Sequence, residues 1–224
     1  MSEQKILHIR ETIRQAQIAE SETHALSRYL RSKMQHLHPA ICLPPQNPQQ
    51  VLEEFVTRYI EHVPEFLDAL SALMSEAGIY DHVKCFVQIA EDFFVEPPEL
   101  LAEHSGMRAL IDEAYLAHRL VEEINDRFII LCGVPLTPMN MTFSNLVVHD
   151  LLGEEFANEL DLAVHYAIES LFPLAELMQN KNFMHYMRAH RAHGWQDALR
   201  RWPCLAGDAE ISLVFGKTLS STVH

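Results

Sequence analysis

A chain of 224 residues, 48% hydrophobic and 21% charged, can bury a sizeable core without disulfide or metal staples, which argues against disorder. Only seven glycines leave few positions for tight turns, which argues against a turn-rich all-β fold. The formal charge of −14 repels a phosphate backbone, and no basic base-reading helix is present, so nucleic acid is not an expected partner.

The first predicted element is one long helix over 5–37. Ile9, Ile13, Ala16, Thr23, Leu26, Leu30, Met34 and Leu37 recur at three and four, with one gap at Glu20. This N-terminal segment, 1–38, either packs on the body or pairs with another subunit. Pro39 and "LPPQNP" end it. Asn47 is then placed as an N-cap, Pro48 as the first helical residue and Gln50 as the partner in a capping box. From there Leu52, Val56, Tyr59, Val63, Phe66, Leu70, Leu73 and Ala77 form an unbroken seam, with a kink expected at Pro64. Gly78 is a stop.

A shorter helix follows over 81–94, broken by "EPP" at 96–98. The next runs from about Pro98 or Ser105 to Cys132, with Leu110, Ala114, Ala117, Val121, Ile124, Phe128 and Leu131 as its seam. Gly133 and Pro135 terminate it. Thr137 and Pro138 restart a helix to about Asp150, and Gly153 breaks it. Residues 154–179 carry a seam of Phe156, Leu160, Ala163, Ala167, Ser170, Leu174 and Leu177, with a bend at Pro173. Small residues in these last two seams predict close helix approach. Residues 182–202 read as one helix, or two hinged at Gly194. Only the tail "EISLVFGKTLSSTVH" looks β-like. The sum is a single all-α domain over 1–224, a bundle of about six to eight helices, four of them long, with an extended C-terminal tail.

The N-terminal "MSEQKILHIRETIRQ" has no stretch resembling a secretory signal, and "FIILCGVPL" is too short to span a bilayer. A cytoplasmic protein without membrane association is expected. There Cys42, Cys85, Cys132 and Cys204, widely spaced, read as free thiols.

The charge is uneven. Residues 1–38 hold six Lys/Arg against four Asp/Glu, residues 47–180 five against twenty-four, and residues 181–204 five against one. The basic ends suit docking on the acidic middle, within one subunit or between two. His185, His190 and His193 join Arg188 and Arg191 in the last segment, where an anionic ligand or a pH response is the alternative.

The candidate chemistry lies beside the seams. Ile111, Tyr115, His118, Glu122, Asn125 and Ile129 form one row, and Asp161, His165, Ile168 and Phe172 another. Were these rows to face, His118, Glu122, Asp161 and His165 would offer two imidazoles and two carboxylates to iron, manganese or zinc. Asn125 or Tyr115 would then orient the ligands from behind. No Glu has a His three residues on, so the common bundle di-iron pattern is absent. The plain alternative is that these are half-buried boundary residues in ordinary i, i+4 pairs, His118 with Glu122 and Asp161 with His165.

A rival lies in "NLVVHDLLGEE". The adjacent His149-Asp150 resembles the dipeptide of the HD-domain phosphohydrolases, which are also all-α. That resemblance implies an upstream His, for which His118 stands in place, and a downstream Asp, such as Asp197 or Asp208. Asp150 read alone is an N-cap for the next helix. No phosphate-binding Gly-rich loop or Gly-x-Ser-x-Gly elbow is present. Two functions follow: a helical protein acting through self-association or a protein partner, or a metal-dependent bundle enzyme.

Overall fold

The computed structural model describes residues 3–95, 106–133, 135–137, 140–171, 174–193 and 204–214. The chain is all-α, with eight helices of ten or more residues among them. In order these are α1 (Glu3–Thr23), α2 (Ala25–Met34), α3 (Pro48–Glu76), α4 (Tyr80–Val95), α5 (Met107–Cys132), α6 (Thr142–Leu152), α7 (Glu154–Leu171) and, after the short α8 (Leu174–Gln179), α9 (Lys181–His193). A single turn, α10 (Leu205–Asp208), and a two-residue strand pair complete the fold. No helix among the described residues is long and apolar enough to cross a membrane.

The long N-terminal helix is in fact two. His24 adopts a left-handed conformation, φ 51°, and ends α1. The carboxylate of Glu20 turns back and accepts the N–H groups of Leu26 and Ser27 at 2.9 and 3.2 Å, so it caps α2. The gap in the apolar pattern at Glu20 is this cap. Ile6, Ile9, Ile13 and Ala16 are buried against α3, α4 and α5 of the same chain. The basic groups of α1 follow them: Lys5 pairs with Asp92 at 2.6 Å, and Arg10 with Asp68 at 3.2 Å. The N-terminal end therefore docks on the acidic middle of its own chain. The face left open carries Leu7 and Ile18.

The α3 seam is as the spacing predicts. Leu52, Val56, Tyr59, Val63, Phe66, Leu70 and Ala77 are buried, and Leu73 partly so. Its start differs in chemistry. Asn47 sits at φ 51° with no side-chain cap, and Gln50 bonds Glu54 rather than closing a capping box. Asn tolerates the left-handed region, and Pro48 supplies the helical φ. The helix runs on through the buried Pro64.

α3 ends in a Gly turn, with Ile79 N–H donating to Met74 at 3.0 Å. Gly78 has φ 68°, and a Cβ there would lie 2.8 Å from Cβ of Asn182. Asn180, just before α9, clasps the turn, donating to the Gly78 carbonyl at 3.1 Å while accepting Phe183 N–H at 3.0 Å. Gly78→Ala should cost about 1–3 kcal/mol, from backbone strain and the Asn182 clash together. Urea unfolding measures this, and an unchanged midpoint would contradict the packing described.

α5 is the centre of the bundle, touching α1, α2, α3, α4, α6 and α7. Its first half is buried on every side: Leu110, Ile111, Ala114, Tyr115, Leu116, Ala117 and Leu120 all lie within the core. The predicted seam holds to Phe128, whereas Leu131 is exposed. α7 is rotated from its predicted face. Ala157, Leu160, Val164 and Ile168 are buried, and Ala163 is exposed. Both sets fit a helical period, and the larger Val and Ile gain more from burial than Ala does.

The tail does not stand alone at its start. Ser212–Leu213 pairs antiparallel with Ile41–Cys42, in the register Ile41 to Leu213. α10 docks on α6 through Ala206 N–H to the buried Ser144 hydroxyl at 3.1 Å. Cys42, Cys85 and Cys204 are free. The helix predicted to restart at Thr137 and Pro138 begins only at Thr142, the Thr137 backbone being held by Asn125. The predicted break at 96–98, Pro138 itself, the bend at Pro173, the hinge at Gly194 and Asp197 lie outside the described residues.

Candidate functional site

Three helices converge on one small cavity of about 230 Å³, lined by Tyr115, Arg119, Glu122, Thr142, Asn145, Leu146, His149 and Asp161. α5 contributes Tyr115, Arg119 and Glu122, spaced by four and three, so they share one face. α6 contributes Thr142, Asn145, Leu146 and His149 at the same kind of spacing. α7 contributes Asp161. A gap of this size holds a small molecule's polar head or a single side chain, not a drug-sized ligand.

Arg119 organises the cavity. Its Nε donates to Asp161 Oδ1 at 2.8 Å, and its Nη1 donates to Glu122 Oε2 at 2.5 Å. Tyr115 donates its hydroxyl to the same Asp161 oxygen at 2.9 Å. Asn145 Nδ2 donates to the same Glu122 oxygen at 2.6 Å, and Asn145 Oδ1 accepts the hydroxyl of the buried Tyr59 at 2.7 Å. One network thus ties α3, α5, α6 and α7. Each carboxylate has one oxygen doubly engaged. Among the described residues, Glu122 Oε1 and Asp161 Oδ2 accept no hydrogen bond. His149 stands at the rim, with Nε2 3.3 Å from Asn158 Oδ1 and 4.0 Å from Asp161 Oδ2.

Burial opposes the charge on Arg119, but the bonds and charges of Asp161 and Glu122 outweigh it and hold the guanidinium pKa above its ordinary value. Burial, and then the Asp161 charge, push the Tyr115 phenol up, so it stays a donor. The cavity therefore has two carboxylates against one fixed cation, a surplus of one negative charge.

The structure brings Glu122 and Asp161 together, through Arg119, but not His118 or His165. His118 points the other way, into the core, and is 0% exposed. Its Nε2 donates to the Tyr59 carbonyl at 2.9 Å, and its ring lies 4.1 Å from Tyr59, 4.6 Å from Phe66 and 5.7 Å from His62. Desolvation holds it neutral, with its pKa well below the usual histidine range. His165 lies outside, between Arg127 at 3.5 Å and Glu169 at 3.3 Å. Asn125 does not orient a ligand either: it pairs with the backbone of Thr137, 2.9 Å in both directions. His118 therefore does not pair with Glu122, nor Asp161 with His165. Among the described residues, no three His, Cys, Asp or Glu side chains stand together as a metal site.

The His149-Asp150 dipeptide is splayed. His149 faces the cavity, while Asp150, inside α6 and not an N-cap, accepts His38 N–H at 2.8 Å. Asp208 is exposed on α10, away from His118 in the core. The helix α9 carries His190 and His193, whose side chains lie outside those described; Lys181, His185 and Arg188 form an exposed row on it.

Sequence reasoning missed Arg119, Asn145 and Tyr59. The usable pattern is Tyr115, Arg119, Glu122 at i, i+4, i+7, which shares Tyr115 and Glu122 with the row above and takes Arg119 in place of His118. No protein-family model matches the chain, and no curated protein or solved structure matches it.

Proposed function

We propose that the protein is a binding module and that the cavity between α5, α6 and α7 is where it engages a small ligand or one side chain of a protein partner. The observation that carries this is the network around Arg119. Five hydrogen bonds across four helices fix Glu122 and Asp161 in place, yet each keeps an oxygen that accepts no hydrogen bond among the described residues. Preorganised, half-satisfied polar groups in a concave site are what a ligand completes. The same network tells against a hydrolytic reading, because the candidate base His149 is not aligned by a carboxylate at hydrogen-bond distance.

Leu146 lines the cavity and is exposed, outside the hydrogen-bond network. Leu146→Trp should fill the space and leave the network intact. A thermal-shift screen of small charged and polar compounds should find stabilisers of the wild type that fail on this variant. A screen without stabilisers, or stabilisation that persists in Leu146→Trp, would overturn the proposal.

A second reading, self-association, is favoured by α9. Its exposed row of Lys181, His185 and Arg188 makes no ion pair among the described residues, whereas the basic groups of α1 are paired within the chain. This row suits the acidic surface of a second copy. Sedimentation should then show a dimer or larger species at low salt that Arg188→Glu and high salt both weaken. A monomer at all salts and concentrations removes this reading.

A further inference from the structure

We propose that the group seated in the cavity is an aliphatic primary ammonium. This rests on the binding reading above and adds the chemistry of the ligand.

The acceptors decide it. Glu122 Oε1 on α5 and Asp161 Oδ2 on α7 accept no hydrogen bond among the described residues, His149 Nε2 standing 4.0 Å from the latter, and the Thr142 hydroxyl on α6 adds a third acceptor on the lining. They belong to three side chains on three helices. A guanidinium prefers the two oxygens of one carboxylate in a planar fork. Here each carboxylate already gives one oxygen to Arg119, so neither can offer that fork. An ammonium has three donors diverging from one point and meets three separate acceptors.

Charge selects in the same direction. Two carboxylates and one guanidinium leave one surplus negative charge, which a monovalent cation neutralises. Arg119 bonds both carboxylates and repels a divalent ion twice as strongly as a monovalent one. An anion would meet two carboxylates and is disfavoured. The rest of the lining accommodates a methylene stem: Leu146 and the ring of Tyr115 flank the polar groups. The ammonium can arrive on a free small amine or on the lysine of a partner protein. The cavity chemistry is the same for both.

The experiment is an NMR titration of the full chain at neutral pH, following Tyr115 and His149. The probes are n-butylammonium, an N-acetyl-lysine amide, n-butylguanidinium, butyrate and zinc ion. n-Butylammonium should shift both residues and bind about tenfold or more tighter than the guanidinium. The lysine amide should bind alike if side chains are admitted; its exclusion points to a free amine, and both results support the ammonium. Asp161→Asn keeps an acceptor for Tyr115 and Arg119 but turns the open oxygen into a donor, so it should weaken the amine by about tenfold to a hundredfold. The discrimination among probes on the wild type stands even should that variant fold poorly. Saturation by butyrate, guanidinium or zinc in preference to the amine would overturn the ammonium and leave a binding cavity. Silence from every probe, together with an empty compound screen, would remove both proposals.

Discussion

Replacing Arg119 with methionine should cost about 3 kcal/mol of folding stability, the largest loss expected from any single polar residue here. The side chains of Arg119, Glu122 and Asp161 are 22%, 11% and 28% exposed, so solvent only partly compensates the loss. The substitution leaves two carboxylates facing each other and strands the donors and acceptors that Arg119 had aligned between α5 and α7. It removes little apolar packing, because methionine covers much of the arginine stem. Arg119→Lys should recover part of the loss, since it restores charge without the two-pronged geometry. The same Arg119→Met change made on a Glu122→Gln, Asp161→Asn background should cost clearly less, because the uncompensated charges are gone. Urea unfolding of the wild type and these four variants measures all of this. Equal losses in both backgrounds would mean that Arg119 contributes by packing alone.

The second large effect is on the pH dependence of stability. Asp112 and Glu113, on the buried first half of α5, are 5% and 6% exposed. Desolvation raises the Asp112 pKa to about 7, with Arg108 opposing, and raises that of Glu113 to about 8, with Asp112 adding to it. The native state therefore keeps two protons that the unfolded chain has released above its ordinary carboxylate range. Stability must fall as pH rises from near 4.5 to about 8, and level off beyond. His62, together with the fully buried His118, works in the opposite sense. Burial lowers the His62 pKa to about 4 and holds that of His118 well below the usual histidine range, so the unfolded state gains protons first and stability falls as pH drops from 6.5 towards 4. The two effects oppose each other below pH 6.5, and only the carboxylates act above it. Stability should therefore decline by a few kcal/mol between about pH 6.5 and 8.5. Glu113→Gln removes one of the ionisations, so it should be more stable than wild type at the alkaline end and close to it near pH 5. A profile flat from neutral to alkaline pH, or one unaffected by Glu113→Gln, would show that these carboxyls are solvated.

How much of this was legible in the sequence depends on how many sides of a helix are buried. α3 packs by one broad face, so its 4-3-4-3 seam could be read directly, as could its start at Pro48 and its stop at Gly78. α5 is enclosed by six neighbours, and a search for one stripe took His118 and Asn125 for its margin. A fully buried histidine among Tyr59, Phe66 and His62 looks, in sequence, like a ligand beside a seam. α7 offered two overlapping faces, and the choice of Ala163 over Val164 turned the helix by one position. The break at His24 has no Gly or Pro to announce it; Glu20 was visible only as a gap. At the site, Glu122 and Asp161 belong to one sequence row pair and His149 to the rival dipeptide, and the structure places all three on the lining of one cavity. What could not be read was that the cation between the carboxylates is Arg119 of the chain itself. Tertiary closure of α5 on α7 creates that pairing, and no local spacing encodes it.

The central claim is that Arg119 holds Glu122 and Asp161 so that one open oxygen of each receives a cationic nitrogen. A crystal structure of the chain grown with n-butylammonium tests it most directly. The nitrogen should lie about 3 Å from both Glu122 Oε1 and Asp161 Oδ2, with the Arg119 bonds intact. An amine found elsewhere, or an Arg119 swung out of the cavity with a metal ion in its place between the two carboxylates, would contradict it.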